Sequence, residues 1–276
     1  MEHPKLFLDM DGVFCDFEKR FQELSGGIPS IAYDSSGRSP TGEPTPGKWD
    51  IIFPDGENTN RFFETLDFMF YSRFLWDGAL EYCRRPGHQQ TPIFLTGIFK
   101  HYKDFCIEGK KTWITTHLLQ EGGTLHSIEI DLTKEVTEKD KDKYNSYLDT
   151  LLLKTKENPN DIIVIFCLPQ QKGIFARNNA ALIDDRREQA RNWGGHGSQF
   201  IHHLTNVTDI NLYKKNLKYE NTNGNGYRKL INTIIRNKTR RNIFSQRAVK
   251  ISRNAINIMN QAPNTTRKII NTLYSS

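Results

Sequence analysis

The chain has 276 residues, of which 37% are hydrophobic, 25% charged and 11% aromatic, and this composition is typical of a globular protein with one large domain or one domain with an appendage. No apolar run approaches the ~18 residues that a membrane-spanning helix needs, so the sequence excludes such a helix. The N-terminal apolar run Leu6-Phe7-Leu8 is too short for a secretory signal, and we expect an intracellular, cytoplasmic protein.

The formal net charge of +6 is unevenly distributed along the chain. The last acidic residue is Glu220, and residues 221–276 contain eleven lysines and arginines. Residues 1–220 therefore carry an excess of negative charge. We expect a body at 1–220 and a separate basic extension at 221–276, each with its own role.

Apolar and polar periodicity predicts strands that alternate with helices, which is typical of a parallel sheet with helices on both faces. The predicted elements, in chain order, are a strand at Lys5–Met10, a helix at Phe14–Leu24, a loop at 25–60, aromatic-rich helical sequence at 61–85, a strand at Thr91–Gly97, a helix at Glu108–Leu119, an alternating segment at His126–Leu132, a strand at Asp161–Leu168, a strand at Ala180–Ile183, a helix at Arg186–Asn192 and a short strand at Phe200–Leu204.

The carboxyl ends of three predicted strands carry polar side chains. Parallel strands gather ligands at these ends, and the residues found there or soon after are Asp9, Asp11, Thr96, Gly97, Lys172, Asp184 and Asp185. Carboxylate oxygens suit Mg²⁺, while a lysine and a threonine hydroxyl suit phosphate oxygens. Each piece alone is weak, since paired aspartates after a strand often only cap a helix. Their occurrence in order, each after an apolar run, predicts a magnesium and phosphate site.

The cysteines show no metal-binding pattern, because the chain has no CxxC pair and no Cys/His cluster with zinc spacing. We expect all four to be small core residues, namely Cys15, Cys83, Cys106 and Cys167.

Four segments resemble the sequence motifs of the haloacid dehalogenase (HAD) superfamily of phosphatases. They are FLDMDGVFCD at 7–16, FLTG at 94–97, Lys172, and LIDDR at 182–186, which resemble motifs I to IV in that order. The 5′(3′)-deoxyribonucleotidase branch and related small HAD hydrolases are the most similar, through Asp16-Phe17, the segment Leu95–Trp113 and the spacing from Lys172 to Asp185. The resemblance covers about residues 5–205.

The resemblance implies an α/β fold: a Rossmann-like HAD core with a parallel sheet and a helical C1-type cap inserted at about 18–88. The chain departs from the family pattern in a charged insertion expected at about 133–160, and the charge pattern adds a basic helical C-terminal extension to the core. Gly97-Ile98-Phe99-Lys100 stands where the deoxyribonucleotidases usually carry Ser-Pro, which is a departure in the substrate-binding segment.

The resemblance also implies an enzyme, a magnesium-dependent phosphomonoester hydrolase that acts on a phosphorylated small molecule, and we expect a nucleotide, as for a 5′-nucleotidase. Asp9 would be the nucleophile and Asp11 the acid and base. Mg²⁺ would be held by Asp9, Asp11 through its backbone carbonyl, Asp184 and Asp185. The groups that would bind the phosphate or line the substrate pocket are Thr96, Gly97, Lys172 and Phe17.

Aromatic residues offer base-stacking surfaces, and Phe17 has the best case because the family places a phenylalanine there. Trp49 could also stack on a base, with core packing at least as plausible, whereas Trp76 lies in an aromatic run and is expected in the core.

Two other functions stay open at this point. The first is a phosphatase for 3′ or 5′ ends of nucleic acid, guided by the basic extension. The second is a non-catalytic binding protein on a HAD fold, which is disfavoured because every motif residue is present. The extension has apolar residues at three- and four-residue steps over 227–259, which predicts one or two amphipathic helices. Such helices could dock on the acidic body or another subunit, bind nucleic acid, or bind an anionic membrane surface.

Overall fold

The computed structural model describes residues 4–32, 47–69, 72–177, 179–186, 188–189, 193, 199–202 and 218–220. Within this part of the chain no helix is long and apolar enough to cross a membrane. The predictions for the extension at 221–276, and most of the helix predicted at Arg186–Asn192, lie outside the described residues.

A seven-stranded sheet forms the centre of the fold, with strand order β3-β4-β2-β1-β5-β6-β7. Neighbouring strands are parallel except for β6 and β7, which pair antiparallel. The strands are β1 Lys5–Leu8, β2 Ile93–Gly97, β3 Leu125–Glu129, β4 Ile162–Cys167, β5 Ala180–Asp184, β6 Gln199–His202 and β7 Lys218–Glu220. The prediction of an α/β fold with a parallel sheet is confirmed, and the core is Rossmann-like.

Five α-helices are defined in the described parts of the connections between the strands. They are α1 Phe17–Leu24, α2 Lys48–Ile52, α3 Ser72–Cys83, α4 Lys103–His117 and α5 Glu138–Lys154. Short 3₁₀ turns add to them, among them Phe62–Glu64 and Pro169–Phe175. The connection from β1 to β2 therefore contains α1, α2 and α3, and the range 133–160 contains α5, which joins the parallel strands β3 and β4.

Both faces of the sheet are covered by apolar side chains, because alternate residues of each strand point to opposite faces. Leu6 and Leu8 join one core cluster with Trp113 of α4, while Phe7 joins the other with Leu148 of α5. Burial on both faces explains why the central strands read as continuous apolar runs in the sequence.

Three local predictions are wrong. The helix expected from Phe14 begins at Phe17, because the Asp16 carboxylate caps it by accepting a hydrogen bond from the Lys19 backbone N–H. Residues 11–15 instead form a tight turn in which Gly12 has a φ of 71°. The loop expected at 25–60 contains α2, and the aromatic-rich sequence at 61–85 is an α-helix only over α3.

All four cysteines are buried and free, as expected for core residues. Burial raises the pKa of each thiol above its usual value, so none is poised as a thiolate nucleophile.

Candidate active site at the carboxyl edge of the sheet

Strand β1 lies between β2 and β5, and this placement brings the predicted site residues together. The Asp9 backbone N–H donates to the carbonyl of Ile183, 2.8 Å away, so Asp9 continues the pairing of β1 with β5. Asp184 ends β5, and Gly97 ends β2 on the other side of β1. The residues at the carboxyl ends of β1, β2 and β5 therefore lie together at one edge of the sheet.

Three carboxylates meet at this edge. Asp9, Asp184 and Asp185 each offer an oxygen atom, and these atoms all lie within 4.8 Å of one another. Asp9 and Asp184 are buried, and Asp185 is half-buried. Burial, followed by the charge of Asp9, raises the pKa of Asp184 to about 6, and the same two causes raise that of Asp185 well above its usual value. A cation among these oxygens would relieve the repulsion that raises both pKa values.

Lys172 balances part of this negative charge. It lies in the 3₁₀ turn Pro169–Phe175 after β4 and is 2% exposed. Its Nζ is 2.6 Å from Asp184 Oδ2 and 2.8 Å from Asp9 Oδ1. Burial disfavours the ammonium ion, but the charges of Asp9 and Asp184 outweigh burial and raise the pKa of Lys172 above its usual value. Lys172 is therefore held as a cation between the two carboxylates.

The donor set fits a small divalent cation. Asp9 Oδ1 is buried and forms an ion pair with the Lys172 ammonium. Within the described part of the chain it accepts no hydrogen bond of normal geometry. Asp184 Oδ1 is oriented by the backbone N–H of Arg186, 2.8 Å away. The cluster consists of carboxylates alone, without a sulfur or imidazole ligand. Mg²⁺ prefers such hard oxygen ligands.

Gly12 provides the space in which Asp185 sits. A Cβ atom on Gly12 would lie 2.2 Å from Asp185 Oδ2, and the φ of 71° at this residue also disfavours any other side chain. Both constraints act on the turn that follows Asp11. Gly12 therefore both permits the turn and makes room for the Asp185 carboxylate.

Replacing Gly12 by Ala is expected to displace the Asp185 carboxylate, and if the cluster supports a metal-dependent reaction, the rate should fall by about 10²-fold or more, since a displacement of 1 Å or so is costly to a preorganised site. Turnover and the metal concentration for half-maximal rate would both be measured. Gly122→Ala is the matched control, because Gly122 also has a positive φ, 76°, but a Cβ there meets nothing within 4 Å. Equal losses of activity in both variants would mean that backbone strain alone explains the effect.

Asp11 and Thr96 come together through a buried lysine that the sequence did not reveal. Lys110 Nζ lies 2.7 Å from Asp11 Oδ2, 2.7 Å from Thr96 Oγ1 and 2.7 Å from the carbonyl oxygen of Gly97. Asp11 Oδ1 is buried and has no hydrogen-bond partner among the described residues. Burial raises the pKa of Asp11 although Lys110 opposes this shift. One oxygen of Asp11 is thus anchored, and the other is left to exchange a proton with a ligand.

A signal for Lys110 does exist in the sequence. Lys110 shares a helical face with Cys106, Trp113 and Ile114, and all of them are buried on α4. Lys110 thus occupies an apolar position of an amphipathic helix, and that helix follows a strand that ends in Thr-Gly. A charged residue at such a position indicates that it has a buried partner.

The predicted aromatic residues have different surroundings. Phe17 is half-buried and contacts the ring of Phe62 with 5.0 Å between centroids. Trp76 is 7% exposed and stacks on Phe94, so its expected place in the core is confirmed. Trp49 is half-buried and stacks on Phe99 at 4.2 Å, two residues beyond Gly97. The Trp49–Phe99 pair thus joins the β1–β2 connection to the loop that leaves the site.

Comparison of the sequence with protein-family models and with curated proteins finds no match to either. The functional conclusion therefore rests on the sequence motifs and on the geometry of the site.

Proposed function

We propose that the chain is a magnesium-dependent phosphomonoester hydrolase that works through an aspartyl-phosphate intermediate on a HAD-type core. The observation that carries this proposal is the arrangement of Asp9, Asp184, Asp185 and Lys172, which puts three carboxylate oxygens and a buried cation at one strand edge. The connection at about 18–88 would be the cap of C1 type, and its helices α1, α2 and α3 are compatible with that role.

In the first half-reaction a carboxylate oxygen of Asp9 attacks phosphorus. A P–O bond forms to Asp9 while the P–O bond to the leaving group breaks, and protonated Asp11 gives its proton to the leaving oxygen. The raised pKa of Asp11 and its unpartnered Oδ1 are suited to this donation. The product is an alcohol together with an acyl-phosphate on Asp9.

In the second half-reaction Asp11, now a carboxylate, takes a proton from a water molecule. The water oxygen bonds to phosphorus and the bond between phosphorus and Asp9 breaks, which releases inorganic phosphate and regenerates the Asp9 carboxylate. Asp11 serves both steps with opposite protonation states, as a single acid-base group must.

The remaining residues of the site would neutralise charge and orient the phosphate. Asp9, Asp184 and Asp185, with the backbone carbonyl of Asp11, would hold Mg²⁺, which neutralises phosphate charge so that a carboxylate can approach it. Lys172 neutralises Asp9 and Asp184 between turnovers, and Thr96 and the Gly97 backbone would bind phosphate oxygens.

Nucleotides are the substrate class that we favour. Support comes from the half-buried rings Phe17, Trp49 and Phe99, which lie in the β1–β2 connection and after β2. The test is a panel of phosphate esters with Mg²⁺, containing 5′- and 3′-nucleotides, sugar phosphates and p-nitrophenyl phosphate. We expect turnover of nucleotides to exceed that of sugar phosphates by at least about tenfold in kcat/KM. Turnover of sugar phosphates alone would refute the nucleotide class, and no turnover of any ester would favour the non-catalytic alternative.

A second function is favoured by the eleven basic residues at 221–276, which oppose the acidic balance of residues 1–220. In this alternative the enzyme removes phosphate from 3′ or 5′ ends of nucleic acid, and the extension supplies binding to the phosphate backbone. Neutralising about five phosphates would give a salt slope of about −4 to −5 on duplex DNA.

This alternative is tested in the 276-residue chain by replacing Arg236, Lys238, Arg240 and Arg241 with Gln. Oligonucleotide affinity and end dephosphorylation should fall, and the salt slope should become less steep by about 3 to 4. The matched control replaces Lys134, Lys139, Lys141 and Lys143 by Gln, which changes the net charge equally, at α5 and in the loop before it. If both variants bind and act on oligonucleotides like the unmodified chain, the extension does not guide the substrate, and mononucleotides remain the favoured class.

A further inference from the structure

Lys110 is a buried cation without an assigned part in the reaction. Its side chain is fully buried, on the face of α4 that packs into the core. The ring of Phe63 covers it, with Nζ 4.9 Å from the ring centroid. A buried lysine must gain enough from its partners to offset the loss of hydration. Its partners are all residues of the candidate active site.

The three partners use all the donor capacity of the ammonium group. A lysine ammonium can donate three hydrogen bonds and can accept none. Asp11 Oδ2, Thr96 Oγ1 and the carbonyl oxygen of Gly97 each lie 2.7 Å from Nζ. No N–H is left for a fourth oxygen in this arrangement. Lys110 therefore differs from Lys172, and it acts through its partners rather than by binding a substrate oxygen.

The contact with Thr96 determines what the threonine hydroxyl can do. A hydroxyl has one O–H donor and two acceptor lone pairs. Because Lys110 donates to Oγ1, the Thr96 O–H points away from Lys110. Within the described part of the chain this O–H has no acceptor. The neighbouring positive charge also strengthens the O–H as a donor, since charge-assisted hydrogen bonds in a buried setting are stronger than neutral ones.

We propose that Lys110 is a positioning residue that presents the Thr96 hydroxyl as a donor to the substrate phosphate and fixes Asp11 to the same strand end. This inference rests on the proposed hydrolase function. Gly97 takes part because its carbonyl binds the ammonium, which locks the end of β2 in place. Phosphate bound at this edge then meets a donor whose direction is set before the substrate arrives, so no reorganisation is needed in the transition state.

The first test is a double-mutant cycle in the full-length protein, with Lys110→Met, Thr96→Val and both together. Turnover of p-nitrophenyl phosphate with Mg²⁺ and the inhibition constant of inorganic phosphate would be measured. Lys110→Met should lower kcat by about 10²-fold, the size of effect seen when one preorganised donor is lost. In the Thr96→Val background, the same change should cost at least about fivefold less, since coupled residues are not additive.

Lys111→Met is the matched control, because Lys111 is adjacent on α4 but pairs at the surface with Glu108 and Glu129. It should keep kcat within about twofold of the unmodified chain. Thermal unfolding of every variant separates loss of fold from loss of function. The proposal would be overturned if Lys110→Met kept kcat within about threefold of the unmodified chain. It would also be overturned if Lys110→Met lowered kcat by the same factor with Thr96 present and with Thr96→Val.

The second test does not depend on the folding of any variant. A crystal structure of the unmodified chain with Mg²⁺ and orthovanadate should place an anion oxygen about 2.7–3.0 Å from Thr96 Oγ1 while Lys110 Nζ stays bonded to that same oxygen atom of Thr96. A Lys110 ammonium that leaves Thr96 and binds the anion would contradict the positioning role. If the unmodified chain hydrolyses no ester and binds no vanadate, the proposed hydrolase function is itself wrong and this inference fails with it. If it hydrolyses esters but Lys110 and Thr96 prove uncoupled, only the inference fails.

Discussion

Asp9→Asn is expected to lower kcat by at least about 10³-fold, because an amide cannot form the acyl-phosphate intermediate. Steady-state turnover of the best ester would be measured with saturating Mg²⁺. Asp16→Asn is the matched control, since Asp16 is also an aspartate of the first motif but caps α1. The control should lose about 1 kcal/mol of stability at most and keep its turnover. Retention of more than about a tenth of the activity by Asp9→Asn would exclude a covalent mechanism at this residue.

Trapping of the intermediate gives this prediction a second measurement. Acid quenching of the unmodified chain with a labelled ester should leave acid-stable, hydroxylamine-labile label on the protein, and Asp9→Asn should carry none. Asp11→Asn should turn over slowly with p-nitrophenyl phosphate yet accumulate label. This leaving group needs no proton to depart, whereas the water in the second half-reaction still needs a base.

Removal of divalent metal is expected to lower kcat by about 10³-fold or more, because several kcal/mol of charge stabilisation are lost. Activity in EDTA should return with Mg²⁺, and Mn²⁺ or Co²⁺ should substitute. Ca²⁺ should suppress activity, since its larger and looser coordination places the attacking oxygen wrongly. Full activity in EDTA, or rescue by Zn²⁺ alone, would contradict the proposed metal.

Thermal unfolding tests the same site without catalysis. Because an ion that binds only the folded state stabilises it, Mg²⁺ should raise the melting temperature of the unmodified chain. The shift should disappear in Asp184→Asn, whose carboxylate is among the three within 4.8 Å. Glu188→Gln serves as the control, because Glu188 is a nearby acidic residue that pairs with Arg186 and belongs to no ligand cluster in the described residues.

The sequence was most informative for the strands that lie in the middle of the sheet. Segments such as Ile162–Cys167 are buried along their whole length, so they appear as uninterrupted apolar runs with clear ends. The short edge strand Lys218–Glu220 was not foreseen, since its three residues carry no such run and depend on pairing with β6. Helix α1 was placed three residues early because Phe14 shares the spacing of the helical residues while it belongs to a turn.

The sequence predicted which residues come together where a residue's position along the chain decides its place in space. Asp9, Gly97 and Asp184 each end or follow a strand, and parallel strands bring such residues to one edge. Lys110 escaped because it reaches the site from the middle of α4, through packing of that helix on the sheet. The helical pattern marks Lys110 as buried, but the groups that it meets depend on tertiary contacts, which a local pattern of residue types does not contain.

The central position of β1 has a consequence for the order in which the protein matures. Asp9 is synthesised before Asp184 and Asp185, which follow with β5 only after most of the described chain has been made. The loop that must close is long, and the entropy of closing it makes pairing between strands of such high sequence separation slow. An incomplete chain therefore lacks the three-carboxylate cluster, so the proposed Mg²⁺ would bind there only after β5 has joined the sheet.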